Sequence, residues 1–303
     1  MRIFVTGGTG FIGTHLCKKL LKLNHDVTVY DNFSNSLREN FVSTINQNVN
    51  IVFGDVLDRS KLFSSMNEYD VVIHLAAKIS VSESIKNPES TFNNNVKGTQ
   101  NVLDACSKNN IKKIIAVSTA AVYQNVLSQT ILDESSPVEP LSPYGVSKLE
   151  MENKIINFTS KNNTNAIILR LFNVYGLGQS PEYAGVITKF LSDLSNNNSL
   201  TIFGDGKQTR DFIYIDDVIN AIILSLDKTI TGIYNIGSGH SISILDLAKL
   251  MIKQSGKNLK ILFTKPRSGE ILFSNASIQK AKKHLFFSPQ FQISEGLKLL
   301  NNF

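Results

Sequence analysis

The chain has 303 residues, 42% of them hydrophobic and 18% charged, a balance that suits a globular protein with one large domain or two unequal lobes. Its formal net charge of +6 is spread along the chain rather than gathered in a basic run, which gives nucleic-acid binding no support and leaves room for a small anionic ligand. No apolar run is long enough for a bilayer, the first strand starts at Arg2 with no room for a leader, and the two cysteines, Cys17 and Cys106, lack CxxC or Cys/His spacing. The expectation is a cytoplasmic protein with buried thiols and without membrane span, disulfide or metal site.

Short apolar runs alternate with amphipathic stretches over the first two-thirds of the chain, the pattern of βαβ units around a parallel sheet. "RIFVT" (2–6) is the first strand and runs into "GGTGFIG", which places Gly7, Gly10, Phe11, Ile12 and Gly13 between a strand and a helix. Glycines there permit a tight turn and let a pyrophosphate approach free N–H groups at the helix start. "DVTVY" (26–30) follows and ends on Asp31 and Asn32; an acid 21 residues past Gly10 suits the hydroxyls of an adenosine ribose and repels a 2′-phosphate, so NAD is expected over NADP. "NIVFG" (50–54) leads to Asp55 and Val56, and "DVVIHL" (70–75) to Leu75, Ala76 and Ala77, at strand ends where dinucleotides bind. His74 reads as a structural residue at a strand end.

A long helix is expected over 90–108, a strand over "KIIAVS" (113–118), a helix over 143–161 and a strand over "AIILRLF" (166–172). In "SPYGVSK" Ser142 is a good N-cap, Pro143 suits the first turn, and Tyr144 and Lys148 share one face. Taken alone the pair is either catalytic or a half-buried tyrosine beside a solvated lysine. After residue 172 glycine, asparagine and proline become frequent. The expected fold is therefore α/β, a Rossmann-like doubly wound parallel sheet with a smaller C-terminal α/β substrate lobe. Its NAD-binding domain would cover 1–172 with a returning segment near 211–237, and the lobe 173–210 and 238–303.

With "TGGTGFIG", "STAAVY" and "YGVSK" in that order, the sequence resembles the extended short-chain dehydrogenase/reductases, and within them nucleotide-sugar 4-epimerases of the UDP-glucose 4-epimerase type. The resemblance implies a catalytic set of Thr119, Tyr144 and Lys148, with Ser118 structural. It implies NAD as cofactor, with Asn95, Tyr144 and Lys148 joining the residues above, and a UDP-linked nucleotide-diphosphate sugar as substrate. Substrate contacts carried over are Ser80, Val81, Ser84, Thr119, Asn173, Gln208, Arg210, Tyr214, Arg267 and Glu270. Ser274, four residues after Glu270, matches a size gate beside the sugar 2-substituent, where a small residue admits an acetamido group. Helices 90–108 and 143–161 match those that pair in family homodimers.

On this reading the tyrosine is the acid/base and the lysine its electrostatic tuner. Bringing a phenol from about pH 10 to neutrality requires roughly 4 kcal/mol; an ammonium about 5 Å away offers on the order of 3 kcal/mol, and the positive nicotinamide of oxidised NAD is expected to supply the remainder. Ala120 and Ala121 stand where related 4,6-dehydratases carry an acid pair for elimination, Gln124 replaces a common glycine, and Ser277 replaces a common aspartate. A 4-ketoreductase or decarboxylase of the same family, and a non-catalytic NAD-binding sensor, are the alternative readings.

Overall fold

The computed structural model describes residues 1–36, 38–45, 49–126, 128–179, 185–266 and 271–300. Its strands are β1 (Arg2–Thr6), β2 (Asp26–Asp31), β3 (Asn50–Phe53), β4 (Val71–His74), β5 (Lys113–Thr119), β6 (Asn165–Leu171), β7 (Asn173–Tyr175), β8 (Leu200–Phe203), β9 (Thr209–Tyr214), β10 (Gly232–Ile236), β11 (Ser241–Ser243) and β12 (Ile261–Thr264). Its helices are α1 (Phe11–Lys22), α2 (Arg38–Ile45), α3 (Arg59–Ser65), α4 (Val81–Lys86), α5 (Pro88–Phe92), α6 (Gly98–Lys108), α7 (Pro143–Thr159), α8 (Val186–Ser195), α9 (Ile215–Leu226), α10 (Ile244–Ser255), α11 (Gln279–Leu285) and α12 (Ile293–Leu300).

The chain divides into two units. The first takes Met1–Val122, Ser142–Arg170 and Ile219–Tyr234. It is built on the seven-stranded sheet β10-β6-β5-β4-β1-β2-β3, with parallel pairing of β1 to β2 and β4, of β2 to β3, and of β4 to β5. The strand order reverses beside β1, as in a doubly wound sheet. Val, Ile and Phe fill the strands because both faces are covered. Phe4, Tyr30, Leu62, Val102, Ile114, Met151 and Ile155 form one buried cluster on the face carrying α3, α6 and α7. Side-chain caps set the helix starts: Asp58 accepts from Lys61 N, Asn87 from Ser90 N, and Ser142 from Gly145 N with Pro143 in the first turn. The helix expected over 90–108 is broken by a π-helical turn, Asn93–Lys97, between α5 and α6.

The second unit takes Tyr123–Leu141, Leu171–Val218 and the chain from Asn235 onward. It holds a three-stranded sheet, β11-β9-β7, and a parallel pair, β12-β8. The expected boundaries differ in three places, the first being that Leu171 and Phe172 already belong to the second unit. Residues 123–141 go with the second unit because Tyr123 Oη donates to Asn235 at 2.6 Å, Asn235 N–H to Glu134 at 2.7 Å, and Asn235 Nδ2 to the Leu132 carbonyl at 2.9 Å. The segment returning to the first unit is 219–234, shorter than expected, because β9 pairs with β7 and β11 instead.

Candidate active site

Parallel pairing brings the ends of β1 to β5 to one edge of the sheet, so the residues after each strand meet there. Gly7 has φ +70°, and a Cβ on it would lie 2.5 Å from Ala76 N; a Cβ on Gly13 would lie 2.5 Å from the Gly7 and Gly8 carbonyl oxygens. Neither position admits a side chain. Gly10 starts α1 with no side-chain cap and no acid in the first turn, so the first N–H groups are left for an anion. Asp31 is held by Thr9 N–H at 3.0 Å and Phe33 N–H at 2.8 Å, one on each oxygen, which leaves a further lone pair on each for ribose hydroxyls. Asn32 donates to Asp55 at 2.8 Å, joining the ends of β2 and β3. Phe11, Ile12, Leu75, Ala76 and Ala77 are half-buried around this edge. A backbone cradle without side chains, an uncapped helix start and a fixed carboxylate fit a dinucleotide such as NAD.

Four expected contact residues have partners within the protein. Asn95 is 1% exposed: its amide accepts from Lys78 N–H and donates to the Lys78 carbonyl and to Ser147 Oγ, so it braces the chain after β4 against α7. Ser84 is fully buried, donates to the Val81 carbonyl and accepts from Tyr144 N–H, which ties α4 to the start of α7. The Val56 side chain lies in the core cluster. Ser80 caps α4 through Glu83 N–H, and Val81 is exposed.

Tyr144 and Lys148 lie one turn apart on α7, and Thr119 ends β5. Thr119 hydrogen-bonds Tyr144, and its Oγ1 accepts from Ala121 N–H at 3.1 Å. Lys148 is 4% exposed and donates to the Val117 carbonyl at 2.6 Å and to Met151 Sδ at 3.0 Å. Burial lowers its ammonium to about 8, with Glu152 opposing. The expected depression of the tyrosine is not present in the protein alone: burial pushes the Tyr144 phenol up to about 12, against the pull of the Thr119 hydrogen bond. The lysine is turned to a carbonyl, and desolvation outweighs what it offers the phenol.

His74 is held by two hydroxyls. Thr99 Oγ1 donates its own hydrogen to the Asn95 carbonyl at 2.6 Å, so at 2.9 Å it accepts from His74 Nε2, and Nδ1 accepts from Thr6 Oγ1 at 2.7 Å. The ring is therefore the neutral Nε2–H tautomer, and burial with the nearby Lys148 charge lowers it to about 3. Sequence reasoning missed Glu152 and Arg170, a buried ion pair at 2.7 Å joined by Ser118. The available signals were an acid four residues after Lys148 and an arginine inside the apolar run "AIILRLF".

In the second unit Asn173 donates to the Asp211 carbonyl at 3.1 Å, and Arg210, half-buried, donates to the Thr209 carbonyl at 2.8 Å. Asp211 is buried and takes Ser238 N–H and Oγ, Gly239 N–H and Ala276 N–H. Gln208 donates to the Phe203 carbonyl, and Tyr214 packs against Tyr175 at 5.5 Å and Phe291 at 4.7 Å; both side chains are buried. Ser274 is 5% exposed. Arg267 and Glu270 lie outside the described residues. Among the described residues no group of His, Cys, Asp and Glu could hold a metal, and no helix is long and apolar enough to cross a membrane.

Residues 3–237 match the NAD dependent epimerase/dehydratase family, and the chain belongs to that family. It is similar to a UDP-glucose 4-epimerase of Thermotoga maritima solved with UDP-glucose, at 33% identity and TM-score 0.93 over 99% of this chain and 97% of that one. A UDP-N-acetylglucosamine 4-epimerase of Methanobrevibacter ruminantium, solved with UDP-N-acetylmuramic acid, shares 34% identity at TM-score 0.91 with the same coverage, 99% and 97%. A UDP-glucuronic acid 4-epimerase of Bacillus cereus, solved with UDP-glucuronic acid and NAD, shares 36% at TM-score 0.89, again over 99% and 97%. Curated relatives include 4-epimerases, a decarboxylase and a 4,6-dehydratase.

Proposed function

We propose that the protein is an NAD-dependent 4-epimerase of UDP-hexoses that interconverts UDP-N-acetylglucosamine and UDP-N-acetylgalactosamine and also turns over UDP-glucose and UDP-galactose. The observation that carries the reading is the set of Thr119, Tyr144 and Lys148, with Thr119 hydrogen-bonded to Tyr144, at the sheet edge that also bears the glycine cradle and Asp31. Bound NAD supplies hydride chemistry at C4 of the sugar. The protein supplies proton transfer: Tyr144 Oη takes the 4-hydroxyl proton on oxidation and returns it to the same oxygen on reduction, while Thr119 holds that oxygen in place.

Ionising a phenol at about 12 near neutrality requires about 7 kcal/mol. One ammonium at about 5 Å offers on the order of 3 kcal/mol, so the base form of Tyr144 belongs to the ligand-bound enzyme. Elimination of a 6-hydroxyl lacks acid/base groups at Ala120 and Ala121. The small side chain of Ser274 supports acceptance of acetylated sugars, and Asn173 and Arg210 are the diphosphate residues of this reading, together with Arg267. Homodimerisation and a cytoplasmic site belong to the same proposal.

The test is a panel of UDP-glucose, UDP-N-acetylglucosamine and the two uronates, followed by NMR of the anomeric protons. New anomeric signals of the C4 epimers without consumption of added NADH are expected. Stoichiometric NADH use overturns the reading in favour of a ketoreductase, and loss of carbon dioxide from a uronate in favour of a decarboxylase.

A further inference from the structure

The carboxylate of Glu152 is 1% exposed on α7, one turn after Lys148. Arg170 of β6, 4% exposed, grips it with Nε at 3.0 Å and Nη2 at 2.7 Å. From β5, Ser118 Oγ donates to it at 2.5 Å. Ser118 stands between Val117, whose carbonyl receives Lys148 Nζ, and Thr119, which hydrogen-bonds Tyr144. One buried anion thus ties together the strand and the helix that carry all three reacting groups.

Stability alone does not account for such an arrangement. Desolvating two charges costs several kcal/mol per ion, and apolar residues of the same volume commonly do as well. A carboxylate does what an apolar side chain cannot: it fixes a hydroxyl direction on β5, a guanidinium plane on β6, and a negative potential beside an ammonium.

We infer that Glu152 is a positioning residue for the reaction, clasping β5 through Ser118 and β6 through Arg170 so that Thr119, Tyr144 and Lys148 stand in register, while its charge keeps Lys148 protonated. The inference rests on the assignment of those three as the reacting set. The groups facing Lys148 are His74 from β4 and Tyr144 and Glu152 from α7, with Arg170 of β6 behind Glu152. Lys113, at the far end of β5, is directed to the Leu226 carbonyl. Among these, Glu152 is the negative group, and it opposes the burial that draws Lys148 down to about 8.

The experiment uses the full chain with NAD and the substrate that turns over. It follows kcat and KM from pH 6 to 10, thermal melting, and the absorbance of ionised tyrosine near 295 nm relative to Tyr144→Phe. Glu152→Gln is expected to lower kcat about tenfold at pH 8, leave KM within about twofold, and move the alkaline limb and the Tyr144 titration by about one pH unit. The limb moves to lower pH, because an ammonium without its counter-charge loses its proton sooner. Ser118→Ala keeps the charge and removes one grip on β5, so kcat falls several-fold while the limb stays. If Glu152→Gln does not fold, the pair Glu152→Gln with Arg170→Met, which leaves no buried guanidinium unpaired, reads the same limb. A folded variant with lowered melting but unchanged kcat and limb overturns the inference, as does full activity of Ser118→Ala. An active Tyr144→Phe enzyme overturns the catalytic assignment instead; an inactive one beside an unmoved Glu152→Gln profile overturns only the clasp.

Discussion

The backbone N–H of Thr9 donates to the carboxylate of Asp31 at 3.0 Å, so the glycine turn after β1 and the acid that ends β2 are one hydrogen-bonded piece. The purified protein is expected to carry NAD rather than NADP. Asp31→Ala should weaken NAD retention at least tenfold, through the lost ribose contact and a loosened turn. Identification of the nucleotide released on denaturation checks this. Recovery of mainly NADP from the parent protein contradicts it.

Tyr144→Phe deletes the proton carrier and keeps the ring, so turnover should fall at least about 10²-fold with nucleotide-sugar binding largely intact. Lys148→Met should also impair turnover, since it removes the ammonium held at the Val117 carbonyl. Initial rates together with calorimetric binding of UDP-sugar separate the two effects.

His74 makes stability depend on acid. Its folded value of about 3 lies below the ordinary imidazole value, so its contribution is fully present above about pH 6.5 and is lost as pH falls toward 3. Protonation would turn Nδ1 into a second donor facing the Thr6 hydroxyl. The loss should reach on the order of 2 kcal/mol at pH 5. His74→Asn should be less stable at pH 8 but show a flatter decline between pH 7 and 4 in urea unfolding; an equally steep decline assigns the acid sensitivity to other groups.

Ser274→Tyr should depress kcat/KM for UDP-N-acetylglucosamine far more than for UDP-glucose, because the added ring would fill the space proposed for the acetamido group. Parallel assays on both sugars decide. Equal losses show that the gate lies elsewhere.

The glycine cradle, Asp31 and the Tyr144/Lys148 pair were legible because each depends on local register: a strand end, a helix start, a four-residue step. The sheet followed from the alternation of strands and helices for the same reason. The internal partners of Asn95 and Ser84 were not legible because they lie far off in the chain, Lys78 and Ser147 in one case and the Tyr144 N–H in the other. Likewise, nothing near residues 123–141 announces that Tyr123, Leu132 and Glu134 find Asn235. The rise of the Tyr144 phenol in the protein alone was not legible, because it follows from burial, which the four-residue step between Tyr144 and Lys148 does not reveal.

The strand that completes the seven-stranded sheet, β10, comes from residues 232–236, after the chain has laid down β7, β8 and β9. During synthesis β6 therefore emerges long before its outer neighbour exists. Until then its edge is an open row of backbone donors and acceptors, able to template pairing with another chain. A fragment ending near residue 172 should for that reason aggregate on expression rather than behave as a free-standing nucleotide-binding module. Supplying 219–236 through a short linker after residue 172 should restore its solubility, and the cooperative folding of this unit should begin only once its last strand has left the ribosome.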